Sequence, residues 1–311
     1  MHHIIANPIA GKGKTINYLS QLSQKLEAEN IPFQAHVTTK VMDAFEIAHK
    51  FAKASDTKTI ISIGGDGTIQ EIAAGIIAAG KDSGDKANHV SLGVIAAGSG
   101  NDFGMSLLGS KETALKLRSL SIEDFVEDFY NKLISPNLQT IDMITANGTP
   151  CINISNIGID ARIVNNAAAL KPRFGRYAYL AAVYKSIVQH RNLKMKIQVD
   201  GVDFDGKYTL IAACNGRYYG GGMEISPFSK LNDGKITLCL VEGMSRLKTM
   251  MVFPSIMMGL HTKLKVIQYI ECSSIAIKLD APTVLCIDGN LMPETDEINF
   301  EILPQALEVF I

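Results

Sequence analysis

The sequence predicts an α/β N-terminal domain with a parallel sheet, followed by an all-β, sandwich-like C-terminal domain. Three observations predict it. Over the first hundred residues short apolar runs alternate with helical periodicity, the pattern of βαβ units. Beyond Thr140 the texture changes to short alternating runs punctuated by Asn147-Gly148, Asp200-Gly201, Asp233-Gly234 and Asp288-Gly289, dipeptides suited to tight hairpins. The length of 311 residues is also enough for two domains.

The elements follow in chain order. His2–Ala6 reads as a short buried strand and runs into the turn Asn7-Pro8-Ile9-Ala10-Gly11-Lys12-Gly13-Lys14. Ile16, Leu19, Leu22 and Leu26 then recur at helical spacing. Phe33–Thr38 is expected as the second strand, Ala44–Ala54 as the second helix and Thr59–Ile63 as the third strand. Gly64-Gly65-Asp66-Gly67-Thr68 breaks that strand, Ile69–Ala79 continues as an apolar helix, and Val90–Ile95 is the fourth strand. Lys111–Asn137 is polar and helical, and its acidic cluster (Glu123, Asp124, Glu127, Asp128) reads as a solvated face. The second domain should then use Ile141–Ala146, Cys151–Ile157, Lys194–Val199, Tyr208–Cys214, Lys235–Val241, Ser274–Leu279 and Val284–Ile287 as strands. The expected division is 1–137 and 138–297.

Composition narrows the function classes. Hydrophobic residues at 47% and charged residues at 20% describe a chain able to bury full cores and exclude disorder. Lys+Arg 30 against Asp+Glu 31 gives a net charge of -1, so no global basic field marks a nucleic-acid binder. The five cysteines are widely spaced and form no zinc-ligand grouping, which predicts buried, reduced thiols of a cytosolic protein. No signal-peptide pattern opens the chain. The longest apolar run, Met250 to Leu260, contains Pro254 and is well short of the ~20 residues that span a bilayer. The expectation is a cytoplasmic protein whose membrane contact, if it has one, is peripheral.

The glycine loops carry the chemistry. Gly64 to Thr68 lies between an apolar strand and an apolar helix, where glycines let the backbone approach a phosphate and the helix N-terminus supplies N–H donors. A tight connection is the plainer reading of one such loop. Asp66 would sit awkwardly beside phosphates unless it holds Mg²⁺ or accepts a proton, and so points to phosphoryl transfer. No Gly-Lys-Ser/Thr follows, so the loop is not a Walker A motif. A second loop, Gly98-Ser99-Gly100-Asn101-Asp102-Phe103-Gly104, and a third, Asn7 to Lys14, would emerge at the same edge of a parallel sheet, where ligands bind. Three such loops predict a phosphate cradle.

With these motifs the chain resembles the bacterial diacylglycerol kinase-like lipid kinases over nearly its whole length. The resemblance rests on Asn7-Pro8-x-x-Gly11, Gly64-Gly65-Asp66-Gly67-Thr68, Gly98-Ser99-Gly100-Asn101-Asp102-Phe103 and Asn156-Ile157-Gly158-Ile159-Asp160-Ala161. Asn215 to Gly222, Leu231-Asn232-Asp233-Gly234 and Asp288-Gly289 complete it. Gly-Gly-Asp-Gly by itself is shared with NAD kinases and phosphofructokinases; the second glycine loop and the Tyr-Gly-Gly-Gly run point to the lipid branch.

The resemblance implies ATP held between the domains, with its phosphates on Gly64, Gly65, Asp66, Gly67 and Thr68. Thr38 and the Ser99 hydroxyl would touch the nucleotide, joined by Asn7 and Asn101. Asp66 and Asp102 would organise Mg²⁺ at the transferring phosphate. A second, structural Mg²⁺ would be bound by the Asp233 carboxylate with the carbonyls of Lys230 and Lys235, although an Asn-Asp-Gly turn without metal reads equally from the residues. Ser99 replaces the family's usual Thr and Ala96 its frequent Pro, both mild departures. Asn290 replaces a glutamate proposed as the base that deprotonates the lipid hydroxyl, and an amide cannot take a proton. Asp66 or Asp288 could substitute. Residues 298–311 are expected to return to the first domain.

The acceptor implied is diacylglycerol or a related lipid alcohol. From Ala161 to Val199 there are eight basic residues and no acidic ones, interleaved with Phe174, Tyr177, Tyr179 and Tyr184. Such a stretch suits an anionic membrane surface, and equally a solvated helix packing its aromatics inward. A homodimer is expected. The competing readings are a nucleotide- and lipid-binding regulator with weakened turnover, suggested by Asn290, and an NAD kinase-like phosphotransferase.

Overall fold

The computed structural model describes residues 1–83, 90–174 and 178–311, which form two compact units. Residues 1–143 with 304–311 make the first, and residues 144–303 the second.

In the first unit β1 (His2–Ala6), β2 (Phe33–Val37), β3 (Thr59–Gly64) and β4 (Ser91–Ala96) lie in the order β2-β1-β3-β4. Each neighbouring pair runs parallel, with Ala6 opposite Ile63 and Ile63 opposite Ile95. The crossovers are α1 (Lys14–Ala28), α2 (Asp43–Ala52) and α3 (Asp66–Ser83). All of β3 and nearly all of β4 are buried, which is why they read as continuous apolar runs and not as alternation. α2 and α3 approach closely at Gly75, where a Cβ would lie 2.7 Å from the Phe45 carbonyl oxygen. α4 (Asp102–Leu107), α5 (Lys111–Arg118) and α6 (Ile122–Ile134) follow β4. Ser110 and Ser121 cap α5 and α6 by accepting the backbone N–H of Thr113 and Asp124. α6 packs Phe125, Phe129 and Leu133 on Ile61, Ile63 and Phe310, leaving Glu123, Asp124 and Glu127 in solvent.

The chain crosses from one unit to the other inside two strands, β5 (Gln139–Ala146) and the last one, so no Gly/Pro-rich linker marks the division in the sequence. β6 (Thr149–Cys151) and β7 (Ile154–Gly158) lead to α7 (Ile159–Phe174) and α8 (Ala178–Gln189). Then come β8 (Leu193–Val199), β9 (Val202–Cys214), the short β10 (Tyr218–Tyr219) and β11 (Met223–Glu224), and β12 (Ile236–Glu242). α9 (Arg246–Met257), β13 (Ile267–Cys272), β14 (Ser274–Ile287) and β15 (Asn290–Phe310) complete the chain.

β9 and β14 each pair antiparallel with both β8 and β7, so these four strands close a ring and expose no ladder edge to one another. Ile197, Ile211, Ile277, Ile298 and Phe300 fill it. A second core lies under the helices, where Ile163, Val183, Ile187 and Ile256 meet Leu210 and Cys239.

The second unit is therefore sandwich-like but not all-β. Its strands announce themselves by alternation and turns, whereas α7 and α9 are too evenly apolar or too polar to present a clean helical stripe. Ser274–Leu279 and Val284–Ile287, expected as two strands, are one, β14; its register shifts between Lys278 and Thr283, around Pro282, which has no N–H for the ladder. In the first unit Val309 and Phe310 of β15 pair in parallel with Leu92 and Gly93. All five cysteines are buried and free. Among the described residues no helix is long and apolar enough to cross a membrane.

Candidate functional site

Parallel pairing puts the C-terminal ends of β1, β3 and β4 at one edge of the sheet, and the three glycine loops interlock there. Asn7 donates from its backbone N–H to the Ile63 carbonyl at 3.0 Å and from Nδ2 to Thr68 Oγ1 at 3.2 Å. The Ala97 N–H donates to the Gly64 carbonyl at 2.8 Å. Gly11 has φ 58° and lies against the Ala97 carbonyl, with no room for a Cβ. A Cβ on Gly98 would sit 2.5 Å from the Gly65 Cα, so these two loops touch backbone to backbone.

Asp66 opens α3 and reaches across to the next loop. Its Oδ2 accepts the Asn101 N–H at 2.9 Å and its Oδ1 accepts the Phe103 N–H at 3.0 Å. Asn101 adopts a left-handed conformation (φ 60°), and its Nδ2 donates to the Ala96 carbonyl at 2.6 Å, while its Oδ1 is buried with no hydrogen-bond partner. A Cβ on Gly100 would lie 3.1 Å from Asp66 Oδ2 and 3.3 Å from Asp102 Oδ2. Two carboxylate oxygens thus converge on one glycine, beside a helix N-terminus whose next residue, Gly67, faces open space. Carboxylate oxygens are hard donors, and one or two of them with phosphate oxygens and water suffice for Mg²⁺. The residues fit that ion.

Thr38 follows β2, is buried, and donates its N–H to the Ala6 carbonyl at 3.0 Å. Ser99 is exposed on the loop after β4. The structure thus gathers Asn7, Gly64, Gly65, Asp66, Thr68, Asn101 and Asp102 into one interlocked group, with Ser99 on the same loop and Thr38 one strand over.

The remaining candidates lie in the second unit. Asp288 and Gly289 form the two-residue turn between β14 and β15, with φ of 47° and 85° as a type I′ turn requires. Asp288 is heavily used. Its Oδ2 accepts the Ile152 N–H at 2.8 Å, and its Oδ1 accepts the Asn153 and Ile154 N–H at 3.0 and 2.9 Å and the Cys151 thiol at 3.3 Å. Burial pushes this carboxyl up to about 6, against the pull of those hydrogen bonds toward the ionised form. Asn290, beside it, is exposed. In the loop before β12 Asp233 Oδ1 accepts the Lys235 N–H at 3.1 Å, and the Lys235 ammonium pairs with Glu271. No group of three His, Cys, Asp or Glu suited to a metal occurs among the described residues, so any cation there would depend on backbone carbonyls.

Two polar residues were given no role by sequence reasoning, although both stand in the motif Asn156 to Ala161. Asn156 Oδ1 and Asp160 Oδ2 are buried without a hydrogen-bond partner. Asp160 is 6% exposed, and burial raises its carboxyl to about 6, partly offset by a hydrogen bond from Tyr219. Their signal was two polar side chains inside an apolar run. Nearby, Gly158, Arg162, Asn166, Gln189, Leu291 and Met292 line a cavity of about 440 Å³, the last two directly after Asn290.

The sign of the Asp160 effect follows from linkage. A raised folded-state value means that the folded protein holds this proton where the unfolded chain has lost it. The contribution is therefore largest below about pH 4 and is lost as pH rises to about 6. Asp160→Asn abolishes that slope. Its stability relative to wild type is expected to improve by about 2–3 kcal/mol between pH 4 and 7, read from urea denaturation at each pH; parallel curves for the two proteins would refute it.

Residues 2–145 match the family model described as the diacylglycerol kinase catalytic domain, and residues 153–311 match the YegS C-terminal NAD kinase beta sandwich-like domain. The chain belongs to the bacterial diacylglycerol kinase-like lipid kinases. It carries the catalytic domain of that family and is a kinase.

Its relatives include a diacylglycerol kinase of Staphylococcus saprophyticus, 28% identical over 99% of this chain and 94% of the relative. A diacylglycerol kinase of Bacillus subtilis is 29% identical over 92% of this chain and 88% of the relative. The crystal structure of a diacylglycerol kinase from Bacillus anthracis superposes with a TM-score of 0.75 at 22% identity, covering 99% of this chain and 96% of that one. This last likeness speaks for the fold.

Proposed function

We propose that this family member is an ATP- and Mg²⁺-dependent lipid kinase that transfers the γ-phosphate to the hydroxyl of diacylglycerol or a related lipid alcohol. The observation that carries the reading is the convergence of the Asp66 and Asp102 carboxylates on Gly100 at the edge of the parallel strands, within the kinase catalytic domain. Asp66 and Asp102 would hold Mg²⁺ there, and the ion would supply positive charge to offset the negative charge that develops on transfer. Gly64, Gly65, Gly67 and Thr68 leave backbone and hydroxyl donors for the phosphates at the start of α3. Thr38, Ser99, Asn7 and Asn101 hold the nucleotide or the loops around it. Asp66 has its orientation set by two backbone N–H groups, so its remaining lone pairs point in a fixed direction. Asp233 with the Lys230 and Lys235 carbonyls is the second cation site of this reading. That the relatives are named diacylglycerol kinases supports diacylglycerol as the first acceptor to test.

Asn290 also favours a second reading, a kinase with weakened turnover. An amide orients the acceptor hydroxyl but leaves its proton to Asp66 or Asp288, and Asp288 already accepts three backbone N–H groups. A dissociative transition state asks little of a base, so activity survives.

The test is radiolabelled ATP turnover over a panel of lipid alcohols in mixed micelles with Mg²⁺, with NAD as a soluble competitor substrate. Label in one lipid is the expected result. Asn290→Glu is expected to raise turnover by about 10²-fold, the lower end of what general-base assistance supplies. Activity restored only in that variant would mark a silenced kinase. No label in any lipid for either protein, or label in NAD, would sink the lipid reading.

The membrane contact belongs to this proposal as well. Of the basic, aromatic segment 161–199, residues 175–177, with Arg176 and Tyr177, lie outside the described residues; α8 beyond them leaves Tyr184, Lys185 and Val188 exposed.

A further inference from the structure

α9 carries apolar side chains on opposite sides, a pattern that normally marks an enclosed helix, yet only one side of it is enclosed. Thr249 and Ile256 are buried, and Met250, Val252 and Phe253 pack on the core beneath the helices with Val183 and Ile187 of α8. The opposite side presents Leu247 (69% exposed), Met251 (65%), Pro254 and Met258 (70%). Their spacing of four, three and four residues places them on one stripe.

The charges beside this stripe have one sign. Arg246 and Lys248 project about 100° to either side of it, and Lys263 and Lys265 are exposed in the segment that follows, between the buried His261 and the core-packed Val266. None of the four is in an ion pair among the described residues, and residues 243–270 include no Asp or Glu. The helix ends with Met257, Gly259 (φ 69°) turns the chain beyond it, and Leu260, 49% exposed, continues the apolar surface.

We infer that this face of α9 docks on an anionic lipid bilayer, with Leu247, Met251, Pro254 and Met258 entering the acyl boundary and Arg246, Lys248, Lys263 and Lys265 reaching the headgroups. The inference deepens the lipid-kinase reading, on which it rests, by naming a second element, besides segment 161–199, that meets the membrane. Long basic side chains flanking an apolar stripe are arranged to keep their charges at the interface while the stripe is submerged. A second copy of the chain fits less well, because a two-fold contact would bring these same cations face to face. A bilayer rich in anionic lipid supplies both the apolar depth and the opposite charge.

The experiment uses the full-length chain and sedimentation with vesicles of phosphatidylglycerol mixed with phosphatidylcholine, against phosphatidylcholine alone. Binding is expected with the anionic vesicles and should weaken as salt shortens the screening length. Lys248→Ala with Lys263→Ala is expected to lower partitioning roughly 30-fold, and Leu247→Ser with Met251→Ser about tenfold or more. Both pairs change exposed side chains, so folding should persist, and turnover on a short-chain diacylglycerol dispersed without vesicles should remain at the wild-type level. Wild-type protein that ignores anionic vesicles, or variants that bind like wild type, overturns the docking while leaving the kinase reading intact if lipid is still labelled. Variants that instead convert a dimer to a monomer and leave vesicle binding unchanged overturn it in favour of a second copy. Vesicle binding lost in both variants, with no lipid labelled by any protein, supports the docking and sinks the kinase reading.

Discussion

Asp66→Asn is expected to lower turnover with ATP and lipid by about 10³-fold while costing the fold only about 1–2 kcal/mol. Two separate losses combine in this variant. The carboxylate accepts the backbone N–H of Asn101 through one oxygen and that of Phe103 through the other. An asparagine has a single acceptor oxygen, so one of these N–H groups would face an amide donor. The loop after β4 would loosen, and the negative charge that converges with Asp102 on Gly100 would go. The loss of charge dominates, because electrostatic stabilisation of the transferring group is the main term in phosphoryl transfer. A melting curve run beside the turnover assay separates the two. Turnover within tenfold of wild type, with the protein folded, would remove Asp66 from the proposed machinery.

Asp288→Ala is expected to destabilise the second unit by about 3 kcal/mol, lowering its melting temperature by roughly 6–12 °C. Truncation leaves the N–H groups of Ile152, Asn153 and Ile154 without their acceptor. Each orphaned donor costs about 1–3 kcal/mol when buried, and the sum is held down because the turn is half-exposed and water can enter. Asp288→Asn keeps one acceptor oxygen and should lose less. The pair of variants also decides the role of this carboxylate. A structural anchor gives turnover that follows the fraction folded; a general base gives an Asn variant that is folded yet slower by about 10² or more.

The legible and illegible parts of this protein differ in sequence range. β1 to β4 and their crossovers were readable because each is specified by its own apolar period. The glycine loops were readable because Gly is demanded where backbone approaches backbone, as at Gly65 against Gly98. Asp66 could be singled out as an acid in a phosphate-type loop, but its bonds to Asn101 and Phe103 span 35 and 37 residues, and no local pattern encodes them. The same holds for Asp288, whose turn was evident as Asp-Gly while its grip on residues 151–154 was not. Of the second unit's helices, α7 and α8 fall in the stretch already open to a helical reading, whereas α9 was hidden for a different reason. α9 lacks the one-sided apolar stripe that announces a surface helix, since it is apolar on its packed and its open side alike.

By itself the sequence determined the alternation of strands and helices, the turn positions, the glycine loops and the family, because these depend on near neighbours and on residue types that few alternatives can replace. The tertiary structure decided which lone pairs Asp66 and Asp288 have left to offer, that β9 and β14 each serve three partners, and which side of α9 is left open. Those properties depend on groups brought together from distant parts of the chain, and a hydrogen bond or a buried face exists only once both of its sides are in place.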